Sequence, residues 1–451
     1  MNNVIYFLTS ALLFILPIPH TIAIRNILAL LLLLVTVYMV VKHKSYKDFT
    51  MEPALKRVLI LLGVLTLWIY FVTFFISDET HWSLGEIKSQ WLTPLLYFAT
   101  FAMLGVYATS RKAETWKNIY ALLFLMLFVH VLYIDLYELQ YYVMHKSIIT
   151  RVSGLTEGPA ADKANYITNV LLSFILAEVI YRFRVGKKLL NVSHFVLILI
   201  LILTLMSSAF EAMRNGVIAI IFLGITSIIF AFYGNKRFAK KTKWLISLAI
   251  LVSIAIPAAY NLKHDSRWAT LKETIPIALD TAHHKAWMDH RRYPYPKLSN
   301  GQMVSGSNYE RVAWMYEGSK LILEHPFGAG YGRNIFGHMI EKKYHEKKRT
   351  VGHSHSGLID MGIGVGIPGI VLWLAFGIYL MYLASSYFFR YDSYFAIIVF
   401  FNVSGFFSRF LVDSNMRDHM FLTFMAILGF SLIAMFKEKE MYETDHLHSR
   451  Q

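Results

Sequence analysis

The 451 residues include no cysteine, which excludes disulfides, thiolate metal sites and cysteine nucleophiles. Charge is scarce as well. Asp, Glu, Lys and Arg make up 16% of the chain, against about 25% in an ordinary soluble domain. No fixed-period repeat and no low-complexity tract is present. What replaces charge is apolar bulk: 56% of the residues are hydrophobic and 15% aromatic. They arrive in runs of about 18 to 22, each long enough to cross a hydrocarbon core of roughly 30 Å as a helix. Helices are favoured there because each backbone donor and acceptor is satisfied within the segment.

These runs predict an all-α, polytopic integral membrane protein with about twelve transmembrane helices. The expected spans are 4–22, 24–41, 58–76, 91–110, 118–136, 166–181, 192–210, 215–233, 244–262, 357–385, 393–411 and 419–436. Pro17 and Pro19 end the first. It lacks a basic n-region and a small-residue cleavage site, so it is expected to stay as a helix rather than be removed as a signal peptide. The chain then divides into helices 1–9 over residues 1–262, a large, mostly helical loop over 263–355, helices 10–12 over 356–436, and a polar tail over 437–451.

Orientation follows from the distribution of Lys and Arg. With the N-terminus inside, the short inner segments hold 21 basic residues, among them Lys42, Lys44, Arg182, Arg184, Lys240 and Lys241. The short outer loops hold eight: Arg25, Lys88, Lys146, Arg151, Lys163, Arg214, Arg409 and Arg417. Both termini are therefore expected in the cytoplasm and the long loop outside. That loop carries fifteen Lys and Arg against nine Asp and Glu, with nine of the 18 histidines. Such a surface suits an anionic partner. Many of its charges, notably Lys342, Lys343, Lys347, Lys348 and Arg349, read equally as a solvated basic face.

Within the loop, Ser307-Asn308-Tyr309-Glu310 has the spacing of a capping box and predicts a helix with Ser307 as N-cap, closed by Pro326. Arg311 would fall in the first turn, where a cation opposes the helix dipole and is better explained by binding an anion such as phosphate. A partnership with a neighbouring carboxylate is the alternative. Gly328, Gly330 and Gly332 follow a helix rather than a strand and lack dinucleotide spacing, so they are read as a turn. His353-Ser354-His355-Ser356 leads into the tenth span. At a helix N-terminus His355 would stay neutral near pH 7 and accept a proton. A zinc site on His353 and His355, completed by His345 or Asp360, is the rival reading. Lys88, Arg151, Arg214, Asp413 and Arg417 all fall at external ends of spans, where charge is costly unless paired or functional.

At these positions the chain resembles the O-antigen ligases of Gram-negative bacteria, in a superfamily shared with O-antigen polymerases and protein O-oligosaccharyltransferases. The topology resembles theirs over most of the chain. Ser207 to Ala219, with Arg214, is similar to the family's arginine turn. Tyr309 to Tyr316 followed by His325-Pro326-Phe327-Gly328 is similar to its second arginine element. His353 to Ser356 leading into Gly362 and Gly366 is similar to its histidine motif, with Ser356 where the family commonly has Asn and Asp360 at the spacing of a frequent acid. Lys88, Arg151 and Asp413 also look like family positions.

The resemblance implies a glycosyltransferase that moves a glycan from undecaprenyl diphosphate to lipid A core oligosaccharide at the periplasmic face of the inner membrane, with inversion. His355 is expected as base and Arg214 and Arg311 on the diphosphate. Lys88, Arg151, His353, Asp413 and Arg417 are expected to bind or orient substrate, with Asp413 pairing with Arg417 four residues on. No metal or other cofactor is expected, since the activated bond is already in the donor. The partners are the two lipid-borne glycans and membrane lipid, and no nucleic acid. The alternatives are a polymerase or a protein O-oligosaccharyltransferase with the same donor, and a transporter of lipid-linked sugar, which would place its ionisable residues near the membrane midplane.

Overall fold

The computed structural model describes residues 2–47, 51–111, 113–149, 151–156, 161–211, 213–235, 239–245, 270–345 and 351–448, with isolated positions at 49, 247, 248, 251 and 252. Regular structure among them is helical, apart from one bridge between Lys297 and Met303. The helices are α1 (Asn2–Ile15), α2 (Ile22–Lys42), α3 (Pro53–Phe75), α4 (Thr80–Ile87), α5 (Thr93–Thr109), α6 (Ala113–His145), α7 (Ala161–Val185), α8 (His194–Glu211) and α9 (Arg214–Phe232). After these come α10 (Leu271–Leu279), α11 (Gly306–Glu324), α12 (Ile335–Tyr344), α13 (Gly357–Tyr391), α14 (Tyr394–Phe410) and α15 (Asp418–His448).

Among the described residues, eight helical stretches are long and apolar enough to cross a membrane: Ile22–Lys42, Pro53–Phe75, Thr80–Thr109, Thr115–His145, Lys163–Val185, His194–Glu211, Gly357–Tyr391 and Asp418–Thr444. Three shorter apolar helices, Asn2–Ile15, Ile218–Phe232 and Tyr394–Phe410, accompany them. The expected span at 244–262 lies largely outside the described residues. α1 ends at Ile15 rather than at residue 22, because Thr21 Oγ1 donates to the carbonyls of Ile15 and Ile18 and turns the chain there. At the other end α15 continues to His448, so the first part of the expected tail is an extension of the last helix.

Composition sorts these helices by depth. α15 is apolar on all sides and is buried throughout its apolar stretch, as an all-round hydrophobic helix must be. It lies along α5, and Gly429 lets the two backbones approach: a Cβ there would sit 2.3 Å from the Phe98 carbonyl oxygen. α2, α3 and α8 instead turn Leu34, Leu67, Phe75 and Phe195 outward, a surface matched to a hydrocarbon surround.

The long loop has a core of its own. Trp287, Leu298, Tyr309, Ala313, Leu321, Phe336 and Ile340 pack together with Ile359 and Ile363 of α13. Its three helices occupy about half of residues 270–345, and the stretch between α10 and α11 is irregular, so the loop is less helical than expected.

The loop is tied to the bundle at a break in α13. Gly366 has φ 70°, ψ −175°, and Pro368 follows, so the helix is interrupted and releases carbonyls from its ladder. The Ile363, Gly364 and Val365 carbonyls accept hydrogen bonds from Ala329 N, Gly330 N and Trp68 Nε1, at 2.9, 3.0 and 2.7 Å. Ile367 N in turn donates to Pro326 O at 2.8 Å. Gly328, with φ 100°, is required because a Cβ would meet Gly364 O at 2.6 Å. The glycine-rich turn is thus a backbone-to-backbone clamp.

Candidate active site

Three segments meet at one end of the bundle: the first turns of α11, residues 351–357 before α13, and residues 411–418 between α14 and α15. α11 begins two residues earlier than its capping pattern suggests. Ser305 is the N-cap, without a side-chain cap bond, and Ser307 lies inside the helix. Glu310 is drawn away by tertiary partners, accepting from Tyr295 Oη at 2.6 Å and lying 3.4 Å from His290 Nδ1. Arg311 consequently falls in the second turn, where the helix dipole weighs little. It is half-buried, and among the described residues it makes no ion pair, so the carboxylate-partner reading is not met.

The same helix turns Trp314 against His355, ring centroids 5.2 Å apart and nearly parallel. His355 precedes the N-cap of α13, which is Ser356, and has a left-handed backbone with φ 56°. Such strain persists only when neighbours over-determine it. Here His355 N donates to His353 Nδ1 at 3.2 Å, and Ser354 Oγ donates to Ser356 O at 2.9 Å. Asp360 accepts from Ser354 N at 2.9 Å and from Ser414 Oγ at 2.6 Å, while Gly357 N donates to Asp413 O at 3.0 Å. Asp360 therefore acts as a clasp for the histidine loop. Among the described residues no group of three or more His, Asp or Glu side chains is placed to hold a metal ion.

Burial, then the Arg311 guanidinium, pushes the His355 imidazolium pKa down to about 4, against a smaller opposing effect of Asp413. Burial and the Arg311 guanidinium therefore keep this ring neutral. His353 is pushed further, to about 2, by burial and then by Arg417, with His355, Arg333 and Arg311 adding to it. The two imidazoles sit in the field of three guanidinium groups.

Arg333 and Asp418 are site residues that the sequence reading passed over. Arg333 Nη1 and Nη2 each lie 3.1 Å from an Asp418 carboxylate oxygen, a bidentate pair, and Arg333 N donates to Glu86 at 2.9 Å. Arg417 Nε lies 3.6 Å from Asp418 and its Nη1 is buried with no hydrogen-bond partner among the described residues. Burial and the nearby Arg333 lower the Arg417 pKa. Arg333, Arg417, Asp360, Ser414, Tyr331 and Gln90 line a cavity of approximately 40 Å³.

Asp413 does not pair with Arg417. Its carboxylate accepts from Arg409 Nη2 at 2.6 Å and Nε at 3.2 Å, four residues back on α14. The pairing runs backward because residues 411–417 have left the helix, so the later arginine is not on the same face. Lys88 opens a π-helical turn, Lys88–Leu92, between α4 and α5, and its side chain is exposed; no described contact brings it into the cluster. Arg151 is also exposed, but its N donates to Phe210 O at 2.9 Å, which holds it against the turn between α8 and α9. Arg214 opens α9, and its side chain lies outside the described residues. Lys342 and Lys343 form surface pairs with Asp78 and Glu324, and Lys347, Lys348 and Arg349 lie outside the described residues.

A bundle of apolar helices, capped at one end by a folded loop that brings two imidazoles among arginines, marks a multi-pass membrane protein. Residues 195–374, less than half of the chain, match the family model described as O-antigen ligase, and this match supports assigning the chain to that family. Members of the family are ligases or polymerases of the glycosyltransferase type. The matched segment includes Arg214, Arg311, His353 and His355 and excludes Lys88, Arg151, Asp413 and Arg417. No curated protein matches the chain.

Proposed function

We propose that this protein is an O-antigen ligase that transfers a glycan from undecaprenyl diphosphate to lipid A core oligosaccharide. It works at the periplasmic face of the inner membrane, with about twelve spans and both termini in the cytoplasm. The observation that carries this reading is the neutral, Trp314-covered imidazole of His355 set beside Arg311 and within the field of Arg417. A buried base next to Arg311, which makes no ion pair among the described residues, and close to Arg417 suits a reaction that takes a proton from one substrate while an anion departs from the other.

In the proposed step the acceptor hydroxyl gives its proton to His355, and its oxygen forms a bond to the anomeric carbon. The bond from that carbon to the diphosphate oxygen breaks from the opposite side, inverting the centre, and the electron pair leaves with the diphosphate. Arg311 and Arg417, with Arg214 from the α8–α9 turn, receive the departing charge, and Arg333 and Arg151 flank them. Lys88, exposed at the π-helical turn, meets the anion during its approach. His353 and Asp413 position the loop, and Asp360 clasps it. A bound diphosphate also changes the base: its negative charge offsets Arg311, so the His355 pKa rises when the donor is present. The step as written needs no metal or nucleotide.

The test is deletion of the gene in its host. Surface lipopolysaccharide should lose its long chains while lipid-linked glycan accumulates, and the wild-type gene should restore both. Loss of chain length with ligated single units still present would identify a polymerase instead.

A further inference from the structure

A chain of buried polar groups runs through the bundle beside the site. The Asn165 amide nitrogen donates to Glu211 Oε2 at 2.7 Å, and Thr168 Oγ1 donates to Glu211 Oε1 at 2.5 Å. Asn165 Oδ1 accepts from Arg409 Nη1 at 3.0 Å, and Arg409 continues to Asp413. Asn165, Glu211, Arg409 and Asp413 are all buried. Charges inside a helix bundle are costly, and a tie made only for stability is made as well by apolar packing. The two ends of this chain are informative. One end grips the turn of Arg214 from both sides: Glu211 precedes it, and Gly216 follows with so little room that a Cβ would lie 2.5 Å from Asn165 Nδ2. At the other end Asp413 O holds Gly357 N at 3.0 Å, two residues beyond His355.

We propose that Asn165, Glu211 and Arg409 are positioning residues that set the distance between the Arg214 turn and the His355 loop. The proposal rests on the reading above, in which those two segments act on one substrate. Reacting groups held in one geometry lose rate steeply when the geometry slips by about 1 Å, on the order of a hundredfold. Substrate affinity, spread over many contacts, falls much less.

The experiment uses the full-length protein in detergent, assayed with lipid-linked donor and core acceptor. Asn165→Leu and Gly216→Ala should each lower kcat by about a hundredfold with both KM values changed by less than about threefold. In Asn165→Ala no amide remains to be displaced, so adding Gly216→Ala should cost nothing further; the double variant is expected to match Asn165→Ala. Spin labels on cysteines at the exposed positions Ile148 and Met315, in a chain free of native cysteine, give a second readout. Their distance distribution should be narrow in the parent and broadened in Asn165→Leu at unchanged thermal midpoint. Additive losses in the double variant, or a raised KM with normal kcat, would overturn the proposal. Arg311→Ala and His355→Ala are run alongside. If those are inactive while Asn165→Leu turns over normally, only this inference falls; if they too retain transfer, the functional reading itself falls.

Discussion

The neutrality of His355 is best tested by pH. An ordinary imidazole titrates at 6.5 and His355 is pushed down to about 4. At pH 5.5 the former is about 90% protonated, whereas a group at 4 is about 3% protonated and still a competent base. The sign is set by burial and Arg311, both of which disfavour the cation, so basic form persists as pH falls. In kcat/KM, which reports the free enzyme, the acid limb should therefore be flat from pH 7 to about 5 and fall only near 4. In kcat, with the diphosphate beside Arg311, the limb should lie at higher pH. Trp314→Leu thins the cover of the ring, and since burial is the larger cause, it should move the kcat/KM limb upward by about one unit. The assay is initial transfer rate of purified enzyme between pH 3.5 and 8, with a return to pH 7 to exclude inactivation. A kcat/KM limb at 6.5, unmoved in Trp314→Leu, would refute the assignment of His355 as a buried neutral base.

Arg214→Ala and Arg311→Ala should abolish transfer with the protein still inserted, and lysine should leave a deficit of about a hundredfold because it lacks the bidentate fork; near-normal Arg214→Lys would show that a point charge suffices. His353→Ala should be milder than His355→Ala, and EDTA should leave the rate unchanged. Inactivation by chelation with recovery on adding zinc would make both histidines ligands. Gly366→Ala should destabilise by about 1–3 kcal/mol in thermal unfolding, because its φ is 70° and the new Cβ would lie 2.3 Å from the Phe327 carbonyl carbon. Single cysteines near Lys44, Arg184 and Lys240 should be labelled only from inside, and those near Lys146, Lys297 and Lys343 from outside. Labelling near Lys240 from the periplasm would reverse the orientation and remove the proposed site from its substrates.

The helices were legible because a hydrocarbon solvent leaves the backbone few options, so apolar run length alone locates α2, α3, α8 and α14 to within several residues. The motif residues around Arg311 and His355 were legible through resemblance, and the structure draws those two together. The partners of these residues were not, because they come from far along the chain: Arg409 meets Asn165 across 244 positions. In the sequence Arg409 bears on orientation alone, although a charge ending an apolar run is itself a signal, as is Glu211 three residues before Arg214. Arg333 was hidden in a glycine-rich turn whose purpose appears only once the break in α13 is seen. The capping pattern at Ser307 misled because tertiary partners outbid a local one for Glu310.

The clamp between the glycine-rich turn and the interrupted helix has a mechanical meaning. Since backbone amides of the loop complete the ladder of α13, the loop cannot lift away without leaving carbonyls bare beside apolar neighbours. His355, at the head of that helix, and Trp314, above it, therefore ride on one lever with the buried bundle. Under the proposed function this would hold the catalytic plane at a set height above the lipid, like a gauge fixed to a bench. A donor would then be measured at its diphosphate end, with sugars further out hanging free of the gauge, so rate should be insensitive to how long the transferred glycan is.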